Sequence, residues 1–459
     1  MMRLAQVAEV LGARMTGADA EFMAVSTDTR KIARGDLFVA LKGDHFDGAE
    51  FALEALEAGA AAVLMYRDSG FRIQDAGLPI LLVDDARLAL GSLAAYWRRQ
   101  FEVSLVAITG SNGKTTVKEM TACILRAAAN SDEAVLATRG NLNNDIGMPL
   151  TLLQLNEHHR HAVIEMGMNH FGEISYLTRI ALPQIALINN ASGAHLQGLG
   201  SVEGVARAKG EIFEGLQSCG IAIINADDEH APLWRKLAGS RTRIEFGLNE
   251  ESDVRGTWQP HGSGLNLHVK TPGGEFSVAL QVPGEHNARN ALAAASIAVA
   301  LGIPVGIIVA GLERFSGVAG RMQRKQGRNG AIVIDDTYNA NPASMSAAIQ
   351  VLANAEGRRV LVLGDMGELG ADAEEMHAEI GRAARKSGID RLYALGELSR
   401  IAAREFGSNA QHCEQIEDLQ NALEKELHAG TTVLIKGSRF MRMERAVEFC
   451  MEKKEERCC

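Results

Sequence analysis

Lys114 stands between Gly113 and Thr115 in the run Thr109-Gly110-Ser111-Asn112-Gly113-Lys114-Thr115-Thr116. Glycines let backbone N–H groups turn toward one anion with no Cβ in the way. A lysine there supplies a mobile point charge for the outer phosphates of a nucleotide, and a threonine hydroxyl an oxygen for Mg²⁺. The run is a candidate ATP or GTP site, although the usual pattern places four residues between its glycines. Here Gly110 and Gly113 bracket only Ser111 and Asn112. A tight turn with a chance Gly-Lys-Thr is the competing reading. The flanks favour the phosphate loop: Leu105–Ile108 is of strand type and Val117–Leu125 reads as a helix, whose N-terminus adds a positive dipole end.

Further polar residues fall at the ends of apolar runs. Glu165 closes Ala162-Val163-Ile164, and a carboxylate at such a place is a natural Mg²⁺ ligand. His195 ends the turn that begins at Asn189. Lys209 lies on a helical segment; a free cation there would repel bound metals, whereas a carbamate formed with CO₂ would be an anion. Asp335-Asp336 closes another strand, with Arg321 upstream, and the pair suits a lid over a nucleotide held elsewhere. The clusters Ser26–Arg30 and Lys42–Gly48 read on their own as ordinary turns.

Elements that position these residues follow from the apolar pattern. Strands alternate with helices, which implies mostly parallel sheets covered on both faces, with ligands at the carboxyl ends of strands. The fold class expected is α/β in three domains, consistent with 459 residues at ~150 per domain. Residues 1–103 form a small α/β unit, with Phe51, Leu53 and Leu56 on one helix. Residues 104–314 form the nucleotide domain, a parallel sheet with a small antiparallel sheet from Thr242–Gly247, Leu265–Val269 and Phe276–Val282. Residues 315–459 form a Rossmann-like unit, without a Gly-x-Gly-x-x-Gly after its first strand.

Net charge of −10, with no long basic block, argues against nucleic-acid binding. The six cysteines form no Cys-x-x-Cys pair, and Cys458-Cys459 reads as a reduced tail. The amino terminus lacks the apolar core of a signal peptide, and Ala291–Leu301 is too short to span a bilayer. A cytoplasmic protein without membrane insertion is expected.

Taken together, the Gly-Ser-Asn-Gly-Lys-Thr-Thr loop, Glu165, His195, Lys209, the His-Asn-x-x-Asn at 286–290, Arg321 and Asp336 resemble the Mur ligases, ATP-dependent amide ligases of peptidoglycan precursor synthesis. The resemblance covers essentially the whole chain. Within the family, Thr138–Asn144, Asp335–Ser344 and Leu363–Leu369 look like the member that joins UDP-N-acetylmuramoyl-tripeptide to D-Ala-D-Ala. Gly210 and Gly367 depart from that member's pattern without removing a ligand.

The resemblance implies roles residue by residue. Ser26, Thr27, Asp28, Arg30, Lys42 and Gly43 would surround the UDP-sugar. Thr138, Arg139, Asn141, Asn143 and Asn144 would face the muramoyl-peptide. Gly110 to Thr116 would hold the ATP phosphates, Asn290 would reach the adenine, and Arg321 and Asp336 the phosphates and ribose. Thr115, Glu165, His195 and a carbamylated Lys209 would hold two Mg²⁺ ions, with Lys114 acting on the transferring phosphoryl group. Asn339, Asn341 and Ser344 would lie near the incoming dipeptide, in a protein expected to be a monomer. The alternatives are the diaminopimelate- or lysine-adding relative, folylpolyglutamate synthetase, and, from another class, a nucleotide-dependent regulatory protein without ligation.

Overall fold

The computed structural model describes residues 1–69, 77–193 and 196–451. His195 and Cys458-Cys459 lie outside the described residues. The chain forms two compact units, one of residues 1–108, 129–187 and 211–222, the other of 109–128, 188–210 and 223–459.

In the first unit, Ala24–Ser26, Asp36–Val39, Ala62–Tyr66 and Ile80–Val83 pair in parallel, and Arg14–Thr16 adds an antiparallel edge. Asp36–Val39 and Ile80–Val83 are buried at every residue, as near-continuous apolar runs of a parallel sheet should be. Asp85 starts the Ala86–Arg98 helix by accepting from the N–H groups of Arg87 and Leu88. Leu53 and Leu56 lie on the expected helix, which Phe51 immediately precedes. It runs Ala52–Glu57 and buries Ala52 and Ala55, while Phe51 and Leu53 are exposed. Ala52 and Ala55 pack on the sheet, with half-buried Leu56 beside them. His161–Glu165 pairs in parallel with Ser104–Ile108 on one side and with Val135–Ala137 on the other.

The second unit carries the Lys114–Ala129 helix and the antiparallel strands Val254–His261, Gly264–Thr271 and Gly274–Leu280. The first of these strands escapes the sequence pattern because Gly256 and Pro260 interrupt it. A six-stranded sheet follows, in the order Gln323–Gln326, Ile332–Asp336, Thr431–Lys436, Arg358–Gly364, Arg391–Leu395, Ala410–Cys413. It is parallel except for its first strand. Met345, Ala348, Ile349 and Leu352 are the buried face of the Pro342–Ala353 helix, as their spacing predicts.

Candidate active site

The phosphate loop is tied down from behind by the turn after Ile188. Ser111 N–H donates to the Asn190 carbonyl at 3.0 Å, and Asn112 N–H to Asn190 Oδ1 at 2.8 Å. Both Asn189 and Asn190 donate through Nδ2 to the Asn112 carbonyl at 3.0 Å. Ser192 N–H donates to Ser111 Oγ at 3.0 Å, and Asn112 Nδ2 to Ser192 Oγ at 2.9 Å. The sequence signal for these partners was position alone, a strand-end turn rich in amides.

Gly113 has φ +78°, and a Cβ there would stand 2.5 Å from Asn189 Nδ2 and closer still to Asn290 Oδ1. Those two side chains are bonded to each other, Asn189 Nδ2 to Asn290 Oδ1, at 3.0 Å. Asn290, expected at the adenine, here gives its Nδ2 to Asn287 Oδ1 at 3.3 Å. It thus forms part of the floor under the glycine.

Lys114 Nζ folds back to the Gly110 carbonyl at 2.6 Å. Lys209 is the penultimate residue of the Val202–Gly210 helix and is 2% exposed. Burial first, and the nearby Lys114 charge second, hold its pKa well below the ordinary 10.5. The shift favours the neutral amine. The helix is fixed by Trp234 Nε1, which donates to the Ala206 carbonyl at 2.9 Å. Gly210, a departure from the family pattern, leaves room for Leu237, against which a Cβ would clash.

Asp336 is paired with buried Lys436, Nζ to Oδ2, at 2.6 Å, and its Oδ1 accepts from Met322 N–H at 3.1 Å. Lys436 also donates to the Asn339 carbonyl at 2.8 Å. The Arg321 guanidinium lies over the Tyr338 ring at 4.0 Å, and among the described residues its buried Nε has no hydrogen-bond partner. Half-buried His286 has its pKa lowered chiefly by burial, with Asp336 opposing and Lys436 adding to the shift. Asn341 and Ser344 form the capping box of the Pro342–Ala353 helix. Asn341 Nδ2 also donates to Asn112 Oδ1 at 2.9 Å, which joins this helix cap to the phosphate loop.

In the first unit, Glu165 is 2% exposed and pairs in register with Ile108, the residue before Thr109. Asn143 Nδ2 donates to Glu165 Oε1 at 2.7 Å, and Glu165 N–H donates to Thr138 Oγ1 at 3.0 Å. Asn144 Oδ1 accepts from Gly147 N–H at 2.8 Å, while Arg139 and Asn141 are exposed. The other turns gather at the carboxyl edge of the five-stranded sheet. Asp28 holds Arg30 through two bonds of 2.8 and 3.0 Å, which lower its pKa below the usual carboxylate range. Ser26 Oγ donates to the Asp28 carbonyl at 3.1 Å, shaping the turn that contains Thr27. Lys42 Nζ sits 5.3 Å from the Tyr66 ring centre, and Gly43 N–H donates to the Phe46 carbonyl at 3.0 Å.

These residues fit a polyphosphate: a glycine cradle that a Cβ would fill, a lysine over it, and an arginine with an orphaned buried Nε. The chain matches the model of the Mur ligase family catalytic domain at residues 21–98, the Mur ligase middle domain at 108–298, and the Mur ligase glutamate ligase domain at 320–439. It is 44% identical over 456 residues, 98% of each chain, to the UDP-N-acetylmuramoyl-tripeptide–D-alanyl-D-alanine ligase of Escherichia coli K12. The chain belongs to the Mur ligase family. Among solved Mur ligases, MurF from Acinetobacter baumannii superposes with a TM-score of 0.90 at 36% identity, covering 99% of this chain and 100% of that one. MurF from Thermotoga maritima in complex with ADP gives 0.81 at 29% identity, covering 93% and 96%. Among the described residues, no helix is long and apolar enough to cross a membrane.

Proposed function

We propose that this Mur ligase joins D-alanyl-D-alanine to UDP-N-acetylmuramoyl-tripeptide with ATP, giving the pentapeptide precursor, ADP and phosphate. One observation carries the reading: 44% identity along 98% of both chains to a ligase of that name. The diaminopimelate- or lysine-adding relative and folylpolyglutamate synthetase are the readings it displaces.

A carboxylate is a poor acylating group because oxide is a poor leaving group. The terminal carboxylate of the tripeptide attacks the γ-phosphorus of ATP, forming an acyl phosphate as ADP leaves. The amine of D-Ala-D-Ala then attacks the acyl carbon, phosphate departs, and the amine proton is lost. Lys114 steadies the charge that develops on the transferring group. Arg321, with an unsatisfied donor, suits a phosphate oxygen. Mg²⁺ supplies charge neutralisation at phosphate oxygens, and it is bound by few protein oxygens together with phosphates and water. Thr115, Glu165, His195 and Lys209 are its proposed ligands, for two ions. The Lys209 amine, its pKa lowered by burial, suits addition to CO₂, which releases a proton and leaves a carbamate anion.

The proposed division assigns residues 1–103 to the UDP-sugar, 104–314 to ATP and 315–459 to the dipeptide and to covering the nucleotide. Ser26, Thr27, Asp28, Arg30, Lys42 and Gly43 serve the UDP-sugar; Thr138, Arg139, Asn141, Asn143 and Asn144 the muramoyl-peptide. Asn290, Arg321 and Asp336 serve the nucleotide; Asn339, Asn341 and Ser344 the dipeptide. A cytoplasmic monomer completes the reading. Phosphate release from ATP, measured with UDP-muramoyl-tripeptide and D-Ala-D-Ala, diaminopimelate or glutamate as acceptor, tests it. Release that depends on D-Ala-D-Ala supports it; preference for either other acceptor, or release without any, refutes it.

A further inference from the structure

Asn190 makes three bonds to the phosphate loop, through its carbonyl, its Oδ1 and its Nδ2. Yet residues 190–192 are half-buried and belong to no strand or helix, so other groups must fix where Asn190 stands. The turn that closes the Ile221–Asn225 strand reaches both of its neighbours. Asn225 Nδ2 donates to the Asn189 carbonyl at 2.9 Å, and Asp228 Oδ2 accepts from Ala191 N–H at 2.9 Å. The reaching turn is itself held firmly. Asp227 N–H donates to Asn225 Oδ1 at 3.1 Å, and the Asp227 carboxylate accepts from the N–H groups of Leu248, Asn249 and Glu250 at 2.8, 3.0 and 2.9 Å.

Starting the next helix does not account for Asp228. Its Oδ1 accepts from His230 N–H at 2.9 Å and faces His230 Nδ1 at 3.2 Å, beside the start of the Ala231–Ala238 helix. That oxygen alone would serve the helix, as a neutral serine would. The other oxygen turns to an amide 37 residues earlier. The Asp228 side chain is only 7% exposed, and burying a carboxylate is costly unless its bonds are made. We infer that Asn225 and Asp228 are positioning residues for the nucleotide. They bracket Asn190 from both sides and so hold the Ser111–Asn112 backbone, and with it the turn into Gly113 and Lys114. Neither touches the nucleotide; each acts through Asn190. This rests on the nucleotide role proposed above for the loop.

The test measures ADP affinity by calorimetry, the KM of each substrate and the melting temperature in wild type, D228A, D228N, N225A and E426Q. D228A and N225A should weaken ADP binding and raise the KM for ATP about 10- to 100-fold, the range for losing groups that orient a ligand-holding residue. The KM values for D-Ala-D-Ala and UDP-muramoyl-tripeptide should stay within about twofold of wild type. D228N keeps one acceptor oxygen and should fall between wild type and D228A. Glu426 is the control, a carboxylate just as buried but bonded to Arg358 and Tyr393. E426Q should lower the melting temperature and leave ADP affinity alone. Hydrogen exchange across residues 109–116 should quicken in D228A and N225A and not in E426Q. If D228A does not fold, D228N and N225A carry the same comparison. ADP affinity in these variants within about twofold of wild type, or weakened no more than in E426Q, overturns the positioning role while leaving the proposed function in place. Wild type that binds no ADP overturns both.

Discussion

Gly113→Ala should injure the phosphate loop in two separable ways. The φ of +78° costs an alanine about 1–2 kcal/mol in the left-handed region. The new Cβ also enters the space of Asn189 Nδ2 and Asn290 Oδ1, whose mutual 3.0 Å bond is buried. Breaking that bond leaves a buried amide unsatisfied, at about 1–3 kcal/mol. The sum, roughly 2–5 kcal/mol, is a large part of the ~5–15 kcal/mol that holds an ordinary domain folded. Gly140→Ala is the internal control, since that glycine has φ +56° with nothing within 4 Å of a built Cβ. It should pay the conformational part alone, about 1–2 kcal/mol. Urea unfolding followed at buried Trp234 gives both losses. Adding Asn290→Ala to Gly113→Ala should recover part of the loss, because it vacates the nearer of the two clashes. If Gly113→Ala costs no more than Gly140→Ala, the floor of amides is not what the glycine serves.

Lys209 should gain CO₂ without strongly alkaline conditions. Its lowered pKa means that the neutral amine, the reacting form, is already dominant well below 10.5. Reactivation of decarbonated enzyme by bicarbonate should therefore reach its plateau rate well below pH 10.5, and a rate still climbing there contradicts the burial argument. Cys450, its thiol pushed up to about 12 by burial, should resist iodoacetamide at pH 8–9 while exposed Cys219 is alkylated; peptide mass mapping decides, and equal labelling would count against it. Asn341→Ser keeps a good helix cap but is too short for Asn112, whereas Asn341→Ala loses both. Stability should fall by about 1 kcal/mol in the alanine variant only, while calorimetry finds nucleotide affinity weakened in both; unchanged affinity in the serine variant would remove the contact from consideration.

The phosphate loop was legible because its chemistry is local: glycines, a lysine and a threonine between a strand and a helix. What holds it was not. Asn189, Asn190 and Asn290 lie far along the chain, and nothing in an amide's sequence neighbours says which backbone group it will meet. The same limit hid the partnership of Asn143 with Glu165 and of Asp336 with Lys436. Buried strands were readable as apolar runs, and the Val254–His261 strand was missed because one face, Arg255, Thr257, Gln259 and His261, is exposed, and Gly256 and Pro260 interrupt the other. The buried face of the Ala52–Glu57 helix, Ala52 and Ala55, carries no large side chain that an apolar pattern would single out.

The amides behind the loop also bear on inhibitor escape. A molecule gripping the loop's backbone through its N–H groups would meet atoms that every side chain has in common, so substitution could evade it only by moving the backbone. The Asn189 and Asn290 side chains close the space beside Gly113, and Asn112 is engaged on both ends of its side chain by Ser192 and Asn341. A change at any of these positions disturbs the same surface proposed to grip phosphate. Room for resistance is narrower there than at an exposed residue whose side chain alone carries a contact.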